Sequence, residues 1–175
     1  MFACCLSEAP DSGLEAKNED EPAPEPEPAP EPSDEDKARC GGPAIDRKVE
    51  IDELLRLLNV FKGYKNPNRG TMQEKVYLDK VVMAIRTKGA VVKDRQDAVI
   101  AAGVAQPLVE VLLGPHLEDR QACDETSRTI QALSDKNDAS IAAFKDAGAV
   151  EALEAVVAKH GEKAKFAGTA LTLMQ

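Results

Sequence analysis

The side chains that could do nucleophilic or acid–base chemistry are few and scattered. Outside its first 45 residues the chain has one cysteine, Cys123, and two histidines, His116 and His160. A cysteine nucleophile would need His116 to fold back as its base and an acid such as Asp119 to orient the ring. No spacing requires this arrangement, and His160 precedes Gly161, where a helix end would favour an imidazolium. We therefore predict that Cys123 is a buried structural thiol and that the protein is not an enzyme.

Motifs for cofactors and metals are missing from the sequence. The chain contains no CxxC, HExxH, GxGxxG or GxxxxGK[ST] pattern, each of which supplies a defined ligand geometry. Cys4 and Cys5 are adjacent, which is poor geometry for two ligands of one metal ion. The sequence therefore predicts no catalytic residue, no cofactor and no metal site.

Residues near the N-terminus are candidates for two kinds of covalent modification. Cys4 and Cys5 could be acylated, although Phe2 occupies the position where N-myristoylation needs glycine. An acylated chain would be a membrane-tethered regulator, and contact with a membrane is expected only in that case. Ser33 precedes three acidic residues, as in substrates of acidophilic kinases, and a phosphate there would add negative charge.

The acidity of the chain is concentrated in its first 45 residues. They contain eight of the eleven prolines, and their twelve acidic and three basic residues give a net charge of −9, that of the whole chain. Residues 17–39 alternate proline with glutamate or alanine, which buries too little apolar surface to offset the entropy of ordering. We predict a disordered acidic Pro/Glu-rich tail over 1–45 and a folded domain over 46–175.

Charge is also uneven within the folded part. Residues 46–95 carry a net charge of +5 and residues 96–175 carry −5. The basic half could hold the tail until a partner displaces it, whereas the simpler interpretation is two solvated faces without coupling. The chain is acidic, has few aromatic side chains and contains no known nucleic-acid-binding motif. We therefore predict that it has no nucleic-acid partner.

Cysteine usage and the first residues indicate the compartment. Three of the four cysteines lie in the tail, so the folded part can contain no internal disulfide, which favours a reducing compartment. No stretch approaches the roughly 18–20 apolar residues of a membrane span, and MFACCLSEAP lacks the basic region of a secretory signal. We expect a cytoplasmic protein, with the nucleus as the alternative.

From residue 46 onward, apolar side chains recur at helical spacing. The first such face consists of Ile51, Leu54, Leu55, Leu58 and Phe61. It predicts a helix that ends at Gly63, followed by a loop at 65–70. A capping box at 71–74 then starts a second helix that ends near Gly89. Its inner stripe is predicted to be Tyr77, Val81, Ala84 and Ile85.

Two stretches of about 45 residues then repeat one order of helices. The predicted helices are 94–103, 104–113 and 119–134 in the first stretch and 139–148, 149–158 and 162–174 in the second. Gly103 and Gly148 lie 45 residues apart, each between a first and a second helix, where glycine permits the positive φ of a sharp turn. A helical unit with a period in the forties predicts an all-α solenoid.

These residues resemble the armadillo repeat family. AVIAAGVAQPLVEVLL (98–113) is similar to the family's junction of first and second helices, and IQALSD (130–135) is similar to its third helix. The resemblance covers repeats at 94–138 and 139–175 and leaves 46–93 as an incomplete first unit. It implies a short, divergent, right-handed solenoid of about two and a half repeats that serves as an adaptor for a protein or peptide partner.

The resemblance also implies where a partner binds. Armadillo proteins bind extended peptides along their third helices, many through an Asn after Ala-Leu-Ser and a nearby Trp. This chain has Asp135 and Leu173 in those places and no Trp, so only the general surface carries over. The implied partner-contacting residues are Arg128, Gln131, Asp135, Lys165, Thr169 and Thr172.

Apolar residues near position 175 could pack within the domain or form a contact between two copies of the chain. Leu171, Leu173 and Met174 end the last predicted helix, and solenoids need about three units with covered ends. These residues either pack on the preceding helices, which is the simpler interpretation, or contact a second copy or a partner.

Overall fold

A computed structural model of the protein describes residues 32–41, 45, 49–63, 76–90 and 92–175. These residues form nine α-helices and two one-turn 3-10 helices, Pro115–Glu118 and Gly161–Lys163, and no strand. The α-helices are α1 (Asp34–Gly41), α2 (Ile51–Phe61), α3 (Val76–Gly89), α4 (Lys93–Ala101), α5 (Ala105–Leu113), α6 (Arg120–Ser134), α7 (Asp138–Asp146), α8 (Ala149–His160) and α9 (Lys165–Leu173). The predicted all-α fold class is confirmed. The loop at 65–70 and the capping box at 71–74 lie outside the described residues.

Helix α1 lies within residues 1–45, where the sequence indicated a disordered tail. The helix packs against α3, and Cys40 near its end is only 1% exposed within the apolar core. Arg56 of α2 donates to the Asp36 carboxylate at 2.6 Å. The sequence of this segment looks like part of the tail, but these contacts stabilise it as a helix. Residues 1–31 and 42–44 of the predicted tail lie outside the described residues.

The helices enclose one apolar core of mainly Ala, Val, Leu and Ile side chains. Phe61 and Phe144 are the largest fully buried side chains in the described part of the chain. Four positions that share one face of α6 are all buried: Ala122, Thr126, Ile130 and Leu133. In α3, Val81 and Ile85 are fully buried, whereas Tyr77 and Ala84 are half-buried against the core. Of the apolar residues near position 175, Met174 is buried and Leu171 packs against the core.

Equivalent helices of the two 45-residue stretches pack against one another. Helix α4 packs on α7, α5 on α8 and α6 on α9, while α2 packs on α5 and α3 on α6. Positions 45 residues apart also share their surroundings, since Val99 and Phe144 are both buried and so are Leu108 and Leu153.

Glycines allow two features of this arrangement: sharp turns between helices and the close approach of two helices. Gly103 and Gly148 have φ of +86° and +82° at the turns between α4 and α5 and between α7 and α8, as predicted. Gly89 is the last residue of α3 rather than the residue after it. A Cβ built there would lie 2.3 Å from Leu133 Cδ2, so the glycine allows α3 to approach α6 closely.

We expect Gly103→Ala and Gly148→Ala each to lower the free energy of unfolding by about 1–2 kcal/mol, because a Cβ is strained at positive φ. Steric clash adds nothing to this strain. A Cβ at Gly103 would have no atom within 4 Å, and a Cβ at Gly148 would lie 3.9 Å from Glu151 Oε2. Gly168→Ala is the control: it lies inside α9 with open space around its Cα, so it should gain about 0.5–1 kcal/mol. Equilibrium urea unfolding measures the free energy of unfolding of all three variants. If all three changed stability in the same direction, positive φ would not be the reason that Gly103 and Gly148 are needed.

Candidate interaction surface

Helices α3, α6 and α9 lie side by side, with α6 packed against both neighbours. Polar side chains join α6 to α3 at two points. Gln121 Nε2 donates to Asp79 Oδ2 at 2.8 Å, and Arg86 Nη1 donates to Glu125 Oε2 at 2.7 Å. Most of this second pair is shielded from water, with side-chain exposures of 16% and 23%. These contacts hold the two helices in register along one face of the domain.

A cation–π contact joins α6 to α9. The guanidinium carbon of Arg128 lies 5.2 Å from the centre of the Phe166 ring, within the range in which the ring quadrupole attracts a cation. Arg128 is exposed and Phe166 is half-buried. Arg128 makes no ion pair with any residue that the structure describes, so its charge remains available to a ligand.

From the exposed and half-buried side chains of these three helices we define what we call the third-helix surface. Its members are Met83 and Thr87 of α3, Arg128 and Gln131 of α6, and Lys165, Phe166, Thr169 and Thr172 of α9. Met83 is 45% exposed and is one of three large apolar side chains exposed within the described ranges, with Val92 and Leu113. The surface is therefore mostly polar, with an apolar residue towards each side.

All six residues implied to contact a partner lie on α6, on α9 or at the end of α6. Gln131 is half-buried and the other five are exposed. The hydroxyls of Thr169 and Thr172 donate to the backbone oxygens of Lys165 and Gly168, which leaves their lone pairs as acceptors. Asp135 follows α6 as its C-cap. The role of these residues in binding stays a prediction.

Sequence reasoning missed Met83 and Phe166 as members of the surface. Met83 could have been found, because it lies off the apolar stripe that Val81 and Ile85 define on α3. Phe166 could not, because its pairing with Arg128 joins residues 38 positions apart on different helices.

Cys123 has no imidazole partner in a nucleophilic arrangement. Its Sγ donates to the backbone oxygens of His116 and Leu117, at 3.5 and 3.6 Å. Burial raises the pKa of the Cys123 thiol to about 12, so almost no thiolate forms at neutral pH. Nε2 of His116 hydrogen-bonds to the backbone oxygen of Phe61, and Asp119 accepts from the Gln121 amide as the N-cap of α6.

His160 and the segment 114–119 form a second structural contact. His160 is the last residue of α8, as the sequence indicated, and its Nε2 hydrogen-bonds to the Leu117 backbone oxygen at 2.8 Å. Lys159 pairs with Glu118 beside it. With the contact of His116 to α2, the segment is fixed from both sides.

The remaining sequence candidates have little structural context. Across the residues that the structure describes, no group of three His, Cys, Asp or Glu side chains could hold a metal ion. Cys4 and Cys5, the candidate acylation sites, lie outside the described residues, and Ser33 is exposed directly before α1. In the same ranges no single helix is long and apolar enough to span a membrane; α4 and α5 pass that test only as a pair, which is bent by 73°.

Comparisons with protein-family models, curated proteins and solved structures gave no match for this chain. The resemblance to armadillo repeats therefore stays a prediction.

Proposed function

We propose that this protein is a non-catalytic adaptor that binds a protein partner on an armadillo-like helical solenoid. The units would be α2–α3, α4–α6 and α7–α9, the first of them lacking its first helix. The observation that carries the proposal is the packing of equivalent helices on one another, α4 on α7, α5 on α8 and α6 on α9. Nearest-neighbour stacking of this kind is what defines a solenoid.

The recurring glycine turns add independent support. Gly103 and Gly148 have nearly the same positive φ, 45 residues apart, so the first and second helices of the two units turn in the same way. The buried pairs Val99–Phe144 and Leu108–Leu153 occupy matching places beside these turns. A right-handed solenoid of about two and a half repeats accounts for all of these features together.

The third-helix surface is where we propose that the partner binds. In a solenoid the third helices of successive units lie side by side, and α3, α6 and α9 do so here. An extended segment crossing them would meet Met83 and Phe166 as apolar contacts and Arg128 and Lys165 as cations without ion pairs among the described residues. A few such anchors within a polar rim are enough for specific binding.

The chemistry of this surface selects one type of partner. Exposed cations beside an aromatic ring fit a segment with acidic side chains next to an apolar one. Asp135 and Leu173 stand where armadillo proteins use Asn to bind the peptide backbone, so recognition here would depend on side chains. A basic import-type peptide, which the family holds through that Asn, does not fit the proposal.

Charge reversal on the surface tests the proposal. We expect Arg128→Glu/Lys165→Glu in the full chain to lower cross-linking of partner proteins in cells by at least about tenfold, because truncating or reversing interface anchors costs more than about 1.4 kcal/mol. Lys93→Glu/Lys145→Glu is the matched control, since it makes the same change in charge at exposed positions of α4 and α7. Partners should be retained by this control.

The pattern across the two variants decides the result. Loss in both would indicate a general charge effect, and retention in both would remove the third-helix surface from binding. Circular dichroism and urea unfolding of both variants ensure that the comparison is made between folded chains.

A further inference from the structure

Helix α1 is held on the domain largely by charged side chains. Asp36 Oδ1 accepts from Arg56 Nη2 at 2.6 Å, and Arg39 Nη1 donates to Glu53 Oε1 at 2.6 Å. Arg56 also donates to Glu53, so the four groups form one network between α1 and α2. The Arg56 guanidinium holds the pKa of Asp36 below its usual range.

The end of α1 supplies the remaining attachment. Cys40 is fully buried in the core and is the one buried apolar side chain among the described residues of α1. Its backbone oxygen accepts from Lys80 Nζ of α3 at 2.7 Å. The contact therefore consists of one small apolar anchor, one carbonyl held by an ammonium group and one network of ion pairs.

These attachments are weak for a structural element. The side chains of Arg39 and Arg56 are 50% and 47% exposed, and those of their partners Glu53 and Asp36 are 25% and 10% exposed. Ion pairs that are open to water on one side are screened by salt. Eight residues are too few to form a stable helix alone, so α1 depends wholly on this contact. A segment with so few buried apolar contacts opens at a lower free energy than the core of its domain.

We propose that α1 is a displaceable internal occupant of a helix-binding site on α2 and α3, and that this site takes a short acidic helix from a second protein. When α1 leaves, Arg56, Lys80 and the recess filled by Cys40 remain on the domain. They fit a carboxylate placed four residues before a small apolar residue at the end of a helix, as Asp36 and Cys40 are placed in α1.

Charge complementarity supports this partner. The first turn of α1 consists of three acidic residues, Asp34, Glu35 and Asp36, and it meets a domain whose first half, residues 46–95, has a net charge of +5. A competing helix with the same acidic first turn would gain the same attraction. The site lies on other helices than the cations tested above, so either proposal can fail without the other.

Alkylation of the native full-length chain tests whether α1 opens. Both buried thiols have a raised pKa through burial, about 11 for Cys40 and about 12 for Cys123, so each reacts only after its surroundings open. Cys123 is fully buried on α6, which packs against both α3 and α9, so its alkylation reports opening of the domain interior. With rates resolved by peptide mass spectrometry, Cys40 should react at least about tenfold faster, and faster again as salt rises from about 0.05 M to about 1 M while Cys123 stays unchanged.

Two variants separate opening from binding. Asp36→Asn weakens α1 but leaves the site intact, whereas Arg56→Gln weakens α1 and removes the guanidinium of the site. Both should raise the alkylation rate of Cys40. The probe is a fluorescent peptide of residues 32–44 with alanine at the position of Cys40. It should bind Asp36→Asn at least about tenfold more tightly than the wild type, and Arg56→Gln no more tightly than the wild type.

Each contrary result overturns the proposal. Equal alkylation rates at Cys40 and Cys123 would make α1 a fixed cap of the domain. A parallel rise at Cys123 in the variants would mean that the whole domain opens. Equal peptide binding by the two variants, or none by either, would mean that the surface under α1 accepts no helix in trans.

Discussion

Phe144→Ala should lower the free energy of unfolding by about 3–5 kcal/mol, the largest loss we expect from truncating one side chain of this domain. The Phe144 ring is 0% exposed. Helix α7 packs against four other helices, α4, α5, α6 and α8. Their backbones cannot all move inward at once, so the variant loses the transfer free energy of the ring and also retains a cavity. Because domains of this size have only about 5–15 kcal/mol in total, such a loss should bring the protein close to unfolding at physiological temperature.

Phe166→Ala is the matched control for this prediction. The Phe166 ring is half-buried and contacts Arg128 on the surface, so its removal should lower the free energy of unfolding by only about a third as much. Far-UV circular dichroism during equilibrium urea unfolding measures both variants. Equal losses would mean that the environment of Phe144 is not the close-packed interior described above.

Helices such as α2 and α6 are predictable because their apolar residues follow a helical period. In α6, for example, Ala122, Ile130 and Leu133, which a helical stripe selects, are all buried. The turn glycines are predictable for a similar reason, since Gly103 and Gly148 each interrupt an apolar pattern at the same offset. Local sequence carries this information because one face of each helix must be buried wherever the helix packs.

Helix α1 was not predictable, because nothing local distinguishes it from the acidic segment before it. It has a single inward apolar residue, Cys40, and no helical stripe. Its order depends on Arg56 and Lys80, which lie 20 residues beyond Asp36 and 40 beyond Cys40. Only the tertiary fold brings such partners together, so composition alone assigned the segment to the tail.

The candidate surface was predictable in part. Exposure of Arg128, Lys165 and Thr172 follows from their positions opposite the buried stripes of α6 and α9. The contacts between neighbouring helices, such as Arg86 with Glu125, depend on the stagger of one helix against the next. That stagger is set by side-chain packing across the interface, including the close approach at Gly89, and a single sequence does not specify it.

Asn137→Ala should lower the free energy of unfolding by about 2–4 kcal/mol, because the residue combines a helix cap with a buried bridge. Asn137 is 0% exposed, and its Oδ1 accepts from the Ser140 amide at the start of α7. Its Nδ2 donates to Gln96 Oε1 at 3.1 Å and to Asp97 Oδ1 at 2.8 Å, both on α4. Alanine removes the cap and also leaves two acceptors without that donor.

Asn137→Ser separates the two contributions, since serine also caps helices but is too short to bridge to α4. We expect it to lose about half as much stability as the alanine variant in urea unfolding. A serine variant as stable as the wild type would show that the bridge to α4 contributes nothing. A serine variant as unstable as the alanine variant would show that the helix cap contributes nothing.

The bridge matters for how helices α4–α6 are coupled to helices α7–α9. The position 45 residues before Asn137 is Val92, which precedes α4, makes no side-chain cap and is 50% exposed. The polar contact is therefore particular to the boundary between α4 and α7. Nearest-neighbour interfaces carry much of the stability of a stacked helical array, so losing this bridge should loosen α7–α9 from α4–α6 before either unit unfolds. Hydrogen exchange of Asn137→Ala should then show faster exchange in α7 than in α5, and uniform acceleration would contradict it.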